Sequence, residues 1–330
     1  MAAGLSVDLD CWRQEFDELM LRVGARFARV EPRRRMAAFV RGLLAGLPRV
    51  NCWSVAEHAG EAGPRGMQRL LSAAVWDEAG MRDDLRAYVL ERFADPGAVL
   101  VVDETGPARR PGGRGLGYVL AIPKRHLVIT GIGPRTAIEL AKRLPARAWQ
   151  RMSAGPGAKG PRWYDWALIE AADPAVTDGG GPHWLLIRRS LADGEYAFYR
   201  AHAPGPVPLA QLVKVAGSRW KVEDGFAASK ELAALDEHQV RSWLSWHRWT
   251  ILALLAHTFL AVLAATQADD QNPDDDQLIP LTCNEIRRLF TGLCQQPPAP
   301  RIQLHWSRWR RRHQYTARAC HYRQRALELR

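Results

Sequence analysis

Arg219, Glu223 and Lys230 are residues whose types and spacing could do chemistry. Intervals of four and seven residues place all three close to one face of an α-helix. A carboxylate flanked by two cations on one face can bind a metal ion and a phosphate together. Salt links along a solvated helix are the common alternative for such spacing. Spacing alone does not distinguish these interpretations, so evidence from the rest of the sequence is needed.

A second carboxylate, Asp103, ends the apolar and β-branched run AVLVVD at residues 98–103. Such a run predicts a buried strand, and α/β cores commonly present a catalytic acid at the C-terminal end of a strand. An aspartate that only begins a turn is the alternative, and the run by itself does not separate the two.

The N-terminal stretch predicts helices. Apolar positions recur at helical spacing through residues 8–48, with a break expected at Glu31-Pro32. Two short helices at 54–60 and 64–72, joined by a turn with glycine, are compatible with a helix-turn-helix in which Arg65 and Arg69 face DNA. Any small helical bundle could give the same pattern, so both interpretations stay open.

The middle of the chain predicts strands. Residues 117–123 form a strand-like run, and three further segments, at 163–171, 183–191 and 195–203, are separated by turn-like connections. Short connections between such segments favour an antiparallel meander.

The C-terminal part predicts helices again. A helix that carries Glu223 is followed by a long one over about 237–267, whose apolar run favours a buried core helix over a membrane span. Residues 301–330 contain nine Arg and a single acid, interleaved with aromatic residues. Arg310 and Arg311 in this tail suit contact with nucleic-acid phosphates, and an unstructured basic tail is the alternative.

Composition favours a polyanionic partner. The chain has 330 residues, with 46 Lys+Arg against 35 Asp+Glu, a net charge of +11 and a pI near 9.8. Nucleic acid is the simplest such partner, and Arg-rich usage throughout a basic proteome is the alternative. Five scattered cysteines without a CxxC pair indicate a reducing compartment and argue against disulfides and a zinc site. The acidic N-terminal sequence does not resemble an export signal.

Together these stretches resemble the DDE-type transposases of bacterial insertion sequences. Arg219, Glu223 and Lys230 have the spacings of the subgroup with a Tyr-(2)-Arg-(3)-Glu-(6)-Lys signature, although Ala216 occupies the tyrosine position. VLVVDETG resembles the segment that carries the first catalytic acid of the family, here Asp103. The resemblance implies that Asp103 and Glu223 are catalytic metal ligands for Mg²⁺ or Mn²⁺, with Arg219 and Lys230 on DNA phosphates.

The family's chemistry uses three carboxylates and two divalent ions for in-line attack on a phosphodiester. The strand at 117–123 resembles the one beyond the second catalytic aspartate, yet only eleven residues separate Thr105 from Gly117. The strands and helix expected there need on the order of 35 residues. We therefore expect an internal deletion that removed this aspartate, and weak or absent DNA cleavage.

The expected fold class is α+β or α/β, in three parts. Residues 1–97 form a helical, DNA-binding region. Residues 98–268 form a truncated ribonuclease-H-like core with a β-rich insertion at about 150–205. Residues 269–330 comprise an acidic loop, a short helix and the Arg-rich tail, and Thr282 followed by Glu285 three residues on predicts the N-terminal cap of that short helix.

The expected function is that of an insertion-sequence transposase, with impaired activity in this copy, so whether the chain is an enzyme stays open. A non-catalytic DNA-binding regulator of transposition is the alternative. Expected partners are terminal-repeat and target DNA and no membrane, with a homodimer left open, in the nucleoid-associated cytoplasm of a bacterium.

Overall fold

The computed structural model describes residues 8–95, 98–99, 101, 117–131, 133–157, 160–171, 182–270 and 280–328. The chain forms two compact units. We call Met1–Pro96 with Phe226–Arg330 the helical unit and Gly97–Gly225 the sheet unit.

The helices are α1 (Leu9–Gly24), α2 (Val30–Leu44), α3 (Cys52–His58), α4 (Arg65–Ser72), α5 (Glu78–Phe93), α6 (Ala137–Arg143), α7 (Leu209–Ser218), α8 (Trp220–Ala233), α9 (Trp243–Asp270), α10 (Cys283–Leu289) and α11 (Pro300–Glu328). The strands are β1 (Tyr118–Ile122), β2 (Leu127–Thr130), β3 (Gly133–Thr136), β4 (Gln150–Gly157), β5 (Gly160–Ala171), β6 (His183–Ser190) and β7 (Tyr196–His202).

The predicted N-terminal helices are present, with two differences at their starts. Pro32 lies in the first turn of α2 instead of between α1 and α2, because first-turn N–H groups have no helical acceptor and proline lacks that group. Asn51 caps α3 by accepting from the backbone N–H of Trp53 and Ser54. The helix therefore begins earlier than the predicted start at Ser54.

Helix α9 runs through the core of the helical unit, where Trp249, Leu252 and Phe259 are fully buried. Phe259 packs edge-on against Phe16 of α1, with ring centroids 5.2 Å apart. By length and composition α9 could cross a membrane, and 56% of its apolar window is buried within the protein. This burial agrees with the predicted core helix.

The sheet unit contains a five-stranded antiparallel sheet in the order β1-β7-β6-β5-β4. The predicted meander is confirmed as β5-β6-β7, and the strand predicted at 117–123 is β1. The strands β2 and β3 form a separate hairpin. The run that ends in Asp103 lies largely outside the described residues, so the buried strand predicted there stays a prediction.

Helices cover both faces of this sheet. On one face Trp166, Leu186 and Tyr199 pack with Leu212 and Val213 of α7. The alternate residues of the same strands point to the other face. There Leu185, Ile187 and Phe198 pack with Leu140 of α6 and Val128 of β2. Mixed helices and an antiparallel sheet agree with the α+β expectation.

The described residues of the C-terminal part, 280–328, include the helices α10 and α11. Thr282 caps α10 by accepting from the backbone N–H of Glu285, as its sequence pattern predicts. Residues 301–328 belong to α11, so this stretch is a helix and not an unstructured tail.

Candidate functional site

Arg219 lies at the junction of α7 and α8, Glu223 lies in the first turn of α8, and Lys230 lies in its last turn. All three side chains are exposed. Arg219 and Glu223 belong to the sheet unit and Lys230 to the helical unit. Residues 209–233 are all described, and none of the three side chains has an ion pair with another described residue of its own unit. Each of them is therefore open to a ligand.

The sheet holds the end of α7 through Gly217, two residues before Arg219. A Cβ atom on Gly217 would lie 2.1 Å from the carbonyl oxygen of Ala154 in β4. That distance is shorter than any side chain permits, so the helix can approach the strand this closely only with glycine at this position.

Arg162 of β5 reinforces the same junction. Its Nη2 donates to the carbonyl oxygens of Ala154 and Gly217, at 3.0 Å each. The last carbonyls of a helix have no partner within the helix. Because Arg162 supplies one from the sheet, the helix end that leads into Arg219 and Glu223 is fixed on a rigid element.

The sequence on either side of Glu223 is mostly cationic. Lys214 and Lys221 are exposed like Arg219 and Lys230, and the acids between residues 214 and 230 are Glu223 and Asp224. Adjacent helical residues point about 100° apart, so Asp224 does not share the face of Glu223. The stretch suits a phosphate better than an isolated cation.

The described residues do not fit a two-metal centre. No three His, Cys, Asp or Glu side chains converge within the described ranges. Such a centre requires several carboxylate oxygens around each ion. Asp103, the predicted partner of Glu223, lies outside the described residues, so Glu223 is the one predicted metal ligand within them.

Asp165 of β5 is already bound by two arginines. Arg189 donates to its carboxylate at 2.9 Å and Arg151 at 3.2 Å. The hydrogen bond from Arg189 is the main reason that the pKa of Asp165 lies below its ordinary value. This acid stabilises the sheet, and both of its carboxylate oxygens already have an arginine partner.

Arg65 and Arg69 lie one turn apart on α4, and both are exposed without an ion pair to any described residue. The opposite side of α4 buries Met67, Leu70 and Leu71. The helix therefore presents a cationic face while its apolar face anchors it, as a DNA-reading helix requires.

Helix α11 supports the turn between α3 and α4. The buried Trp306 donates its indole N–H to the carbonyl oxygen of Glu61 in that turn, at 2.8 Å. Trp309 packs edge-on against Trp53 of α3, with centroids 4.7 Å apart. Arg310 forms an ion pair with Glu57 of α3.

Arg311, the next residue, is exposed and has no ion pair with any described residue. The two arginines predicted to contact DNA thus differ in surroundings. The recurrence of Trp306, Trp309 and His313 at helical spacing is the sequence signal that would have placed Arg310 near the packed side of α11.

Residues 22–151 match the model of a family described as DDE superfamily endonuclease. No curated protein shows a significant sequence match to the chain. The matched segment runs from the end of α1 into β4, and it includes Arg65, Arg69 and the position of Asp103. Glu223 and α11 lie outside it. The match supports a relationship to DDE-type transposases, whose nuclease domains act on DNA.

Proposed function

We propose that the chain is an insertion-sequence transposase by descent that binds DNA at the ends of its element and whose chemical step is impaired. The match of residues 22–151 to the DDE superfamily endonuclease family carries this proposal. The exposed Arg219, Glu223 and Lys230 support it from outside the matched segment, because their spacing is that of the Tyr-Arg-Glu-Lys subgroup.

DNA binding follows from charge and from the surface of α4. The net charge is +11, and Arg65 and Arg69 are exposed on a helix whose other face is buried. Two cations one turn apart can contact a DNA backbone or base edges. Arg219 and Lys230 are proposed phosphate contacts at the catalytic end, with Arg311 in the C-terminal helix.

The proposed impairment of cleavage follows from the short segment between the two predicted strands. Asp103 and Glu223 are the proposed catalytic carboxylates, and the third falls in a segment for which only eleven residues remain between Thr105 and Gly117. With two of three carboxylates, binding of Mg²⁺ or Mn²⁺ should be weak and the geometry for in-line attack incomplete.

A non-catalytic regulator is the second candidate, favoured by the same short segment. Such a protein would occupy element ends and exclude an intact transposase without cutting DNA. We place either protein in the cytoplasm of a bacterium, on the nucleoid, and propose that the truncated core is ribonuclease-H-like.

Binding is tested with labelled duplexes made from the DNA that flanks the gene, against shuffled duplexes of equal composition. Fluorescence anisotropy should show tighter binding to the flanking sequence, and Arg65→Ala with Arg69→Ala should remove most of that preference. The control variant, Arg143→Ala with Arg147→Ala, changes two exposed arginines of the sheet unit and should bind as the native chain does. Equal affinity of the native chain for both duplexes would overturn specific end binding.

A further inference from the structure

The two sides of α11 have different surroundings. Trp306, Trp309 and His313 lie on one side, and Trp309 and His313 contact Trp53 of α3. Arg310 lies next to them and is paired with Glu57. This side holds the helix to the helical unit.

The opposite side of α11 is cationic and exposed. With about 100° per residue, the side chains there form two rows with a stripe between them. Arg311 and Arg318 form one row, Arg312 and Arg323 form the other, and Arg308, Tyr315 and Tyr322 lie between. All seven side chains are exposed, and none makes an ion pair with a described residue. We call these seven residues the outer face of α11.

The dimensions of the outer face match a DNA groove. Its arginine rows lie about 100–140° apart around the helix, and they extend over about 18 Å from Arg311 to Arg323. The major groove of B-DNA is about 12 Å wide and admits one α-helix, with phosphates along both rims. Rows on both flanks of one helix can reach both rims.

We propose that the outer face of α11 lies in the major groove of duplex DNA and contacts phosphates of both strands through its two arginine rows. This proposal rests on the proposed DNA-binding function and names the surface that supplies much of its affinity. Arg310 is not part of the surface, because Glu57 already pairs with it.

The positive charge of the outer face favours DNA over a second copy of the chain. Five arginines without an acidic neighbour on the outer face would repel the same face of a second copy, whereas each one that neutralises a phosphate releases a counterion. Tyr315 and Tyr322, 67% and 63% exposed, give the central stripe an apolar and hydrogen-bonding surface that suits base edges in a groove.

The test compares two triple variants with equal change in charge. Arg311→Gln, Arg318→Gln and Arg323→Gln remove the whole of one row and one of the two arginines of the other, so that Arg312 alone remains in the rows. The control, Arg82→Gln, Arg143→Gln and Arg147→Gln, neutralises three exposed arginines that make no ion pair with described residues. Affinity for the flanking duplex is measured by anisotropy as a function of salt.

Each lost phosphate contact removes about 0.9 from the slope of log affinity against log salt concentration, so the outer-face variant should flatten the slope by about 3. Its affinity should fall about 100-fold or more at 0.1 M salt. The loss should be equal for flanking and shuffled duplexes, since phosphates carry no sequence information. The control variant should keep the native slope.

A variant with Arg311→Lys, Arg318→Lys and Arg323→Lys keeps the charge and should keep the slope, which separates charge from folding. Equal slopes for the glutamine variant and the control would overturn the outer-face proposal while leaving DNA binding intact. A native chain that binds no duplex would overturn both proposals. The native chain could instead form dimers that dissociate in the glutamine variant, while the salt slope stays unchanged. That result would assign the outer face to contact with a second copy and would also overturn the outer-face proposal.

Discussion

A Cβ atom on Gly217 would lie 2.1 Å from the carbonyl oxygen of Ala154. This approach brings the last turn of α7 onto the backbone of β4. Arg219 and Glu223 follow within six residues, so their position relative to the sheet depends on a residue that has no side chain. The stability of the junction and the proposed catalytic surface are therefore coupled.

Gly217→Ala should destabilise the sheet unit by about 1–3 kcal/mol, because the added methyl group must displace the backbone of β4 or α7. Gly225→Ala is the matched control, since a Cβ atom there meets nothing within 4 Å. That change within α8 should be neutral or stabilising by up to about 1 kcal/mol. Urea unfolding of both variants measures the difference, and equal stabilities would contradict the close approach.

Arg162→Met should cost about 1.5–3 kcal/mol, because two carbonyl oxygens lose a charged donor. Arg151→Met on the neighbouring strand serves as the control. The side chain of Arg151 is 63% exposed and its ion pair with Asp165 is solvated, so the loss should stay below about 1 kcal/mol. A larger loss for Arg151 than for Arg162 in thermal unfolding would refute the assigned anchor.

Trp306→Ala should destabilise the helical unit by about 3–5 kcal/mol, because it empties a fully buried indole site. Trp306→Phe keeps most of the packing and loses the hydrogen bond to Glu61. The lost hydrogen bond should cost about 1 kcal/mol, and the smaller ring should add a packing loss below that of the alanine variant. Trp243, 75% exposed, provides the control, and Trp243→Ala should change stability by less than about 1 kcal/mol. Calorimetry measures the loss of stability, which should be largest for Trp306→Ala, smaller for Trp306→Phe and smallest for Trp243→Ala. A loss for Trp306→Ala no larger than that for Trp243→Ala would contradict the packing of α11 on the turn between α3 and α4.

His257 predicts a pH dependence, because burial lowers its pKa below the ordinary value of 6.5. Above pH 6.5 the imidazole is neutral in both states. As pH falls below 6.5 the unfolded chain binds a proton that the folded chain resists, so the free energy of unfolding decreases, by at most about 1.4 kcal/mol per pH unit. The decrease ends below the folded pKa.

The variant His257→Leu lacks this proton and should lose less stability than the native chain between pH 7.5 and 5. Denaturant unfolding at a series of pH values gives the difference between the two proteins. A difference that does not change with pH would show that the folded chain does not resist protonation of His257.

Much of the fold could be predicted from local patterns. Thr282 with Glu285, the meander β5-β6-β7 and the apolar run of α9 depend on short-range spacing, and the structure confirms each. The predicted start of α3 is wrong by two residues, because Asn51 and Ser54 can both cap a helix and only the hydrogen bonds distinguish them.

The contacts that hold the candidate site residues in place could not be predicted from local patterns. Arg162 reaches Gly217 because of the strand register and the packing of α7 on β4, neither of which a single sequence specifies. Arg310 and Arg311 are identical in type and adjacent, yet one pairs with Glu57 and the other does not. The direction of each side chain around α11 decided their surroundings.

The central claim is that this chain binds element ends but cuts them poorly or not at all. The direct measurement incubates purified protein with end-labelled flanking duplexes in Mg²⁺ or Mn²⁺ and resolves the products on a denaturing gel. We predict retained binding without strand cleavage above that of a Glu223→Gln variant. Efficient cleavage at the element ends that Asp103→Ala abolishes would contradict the account.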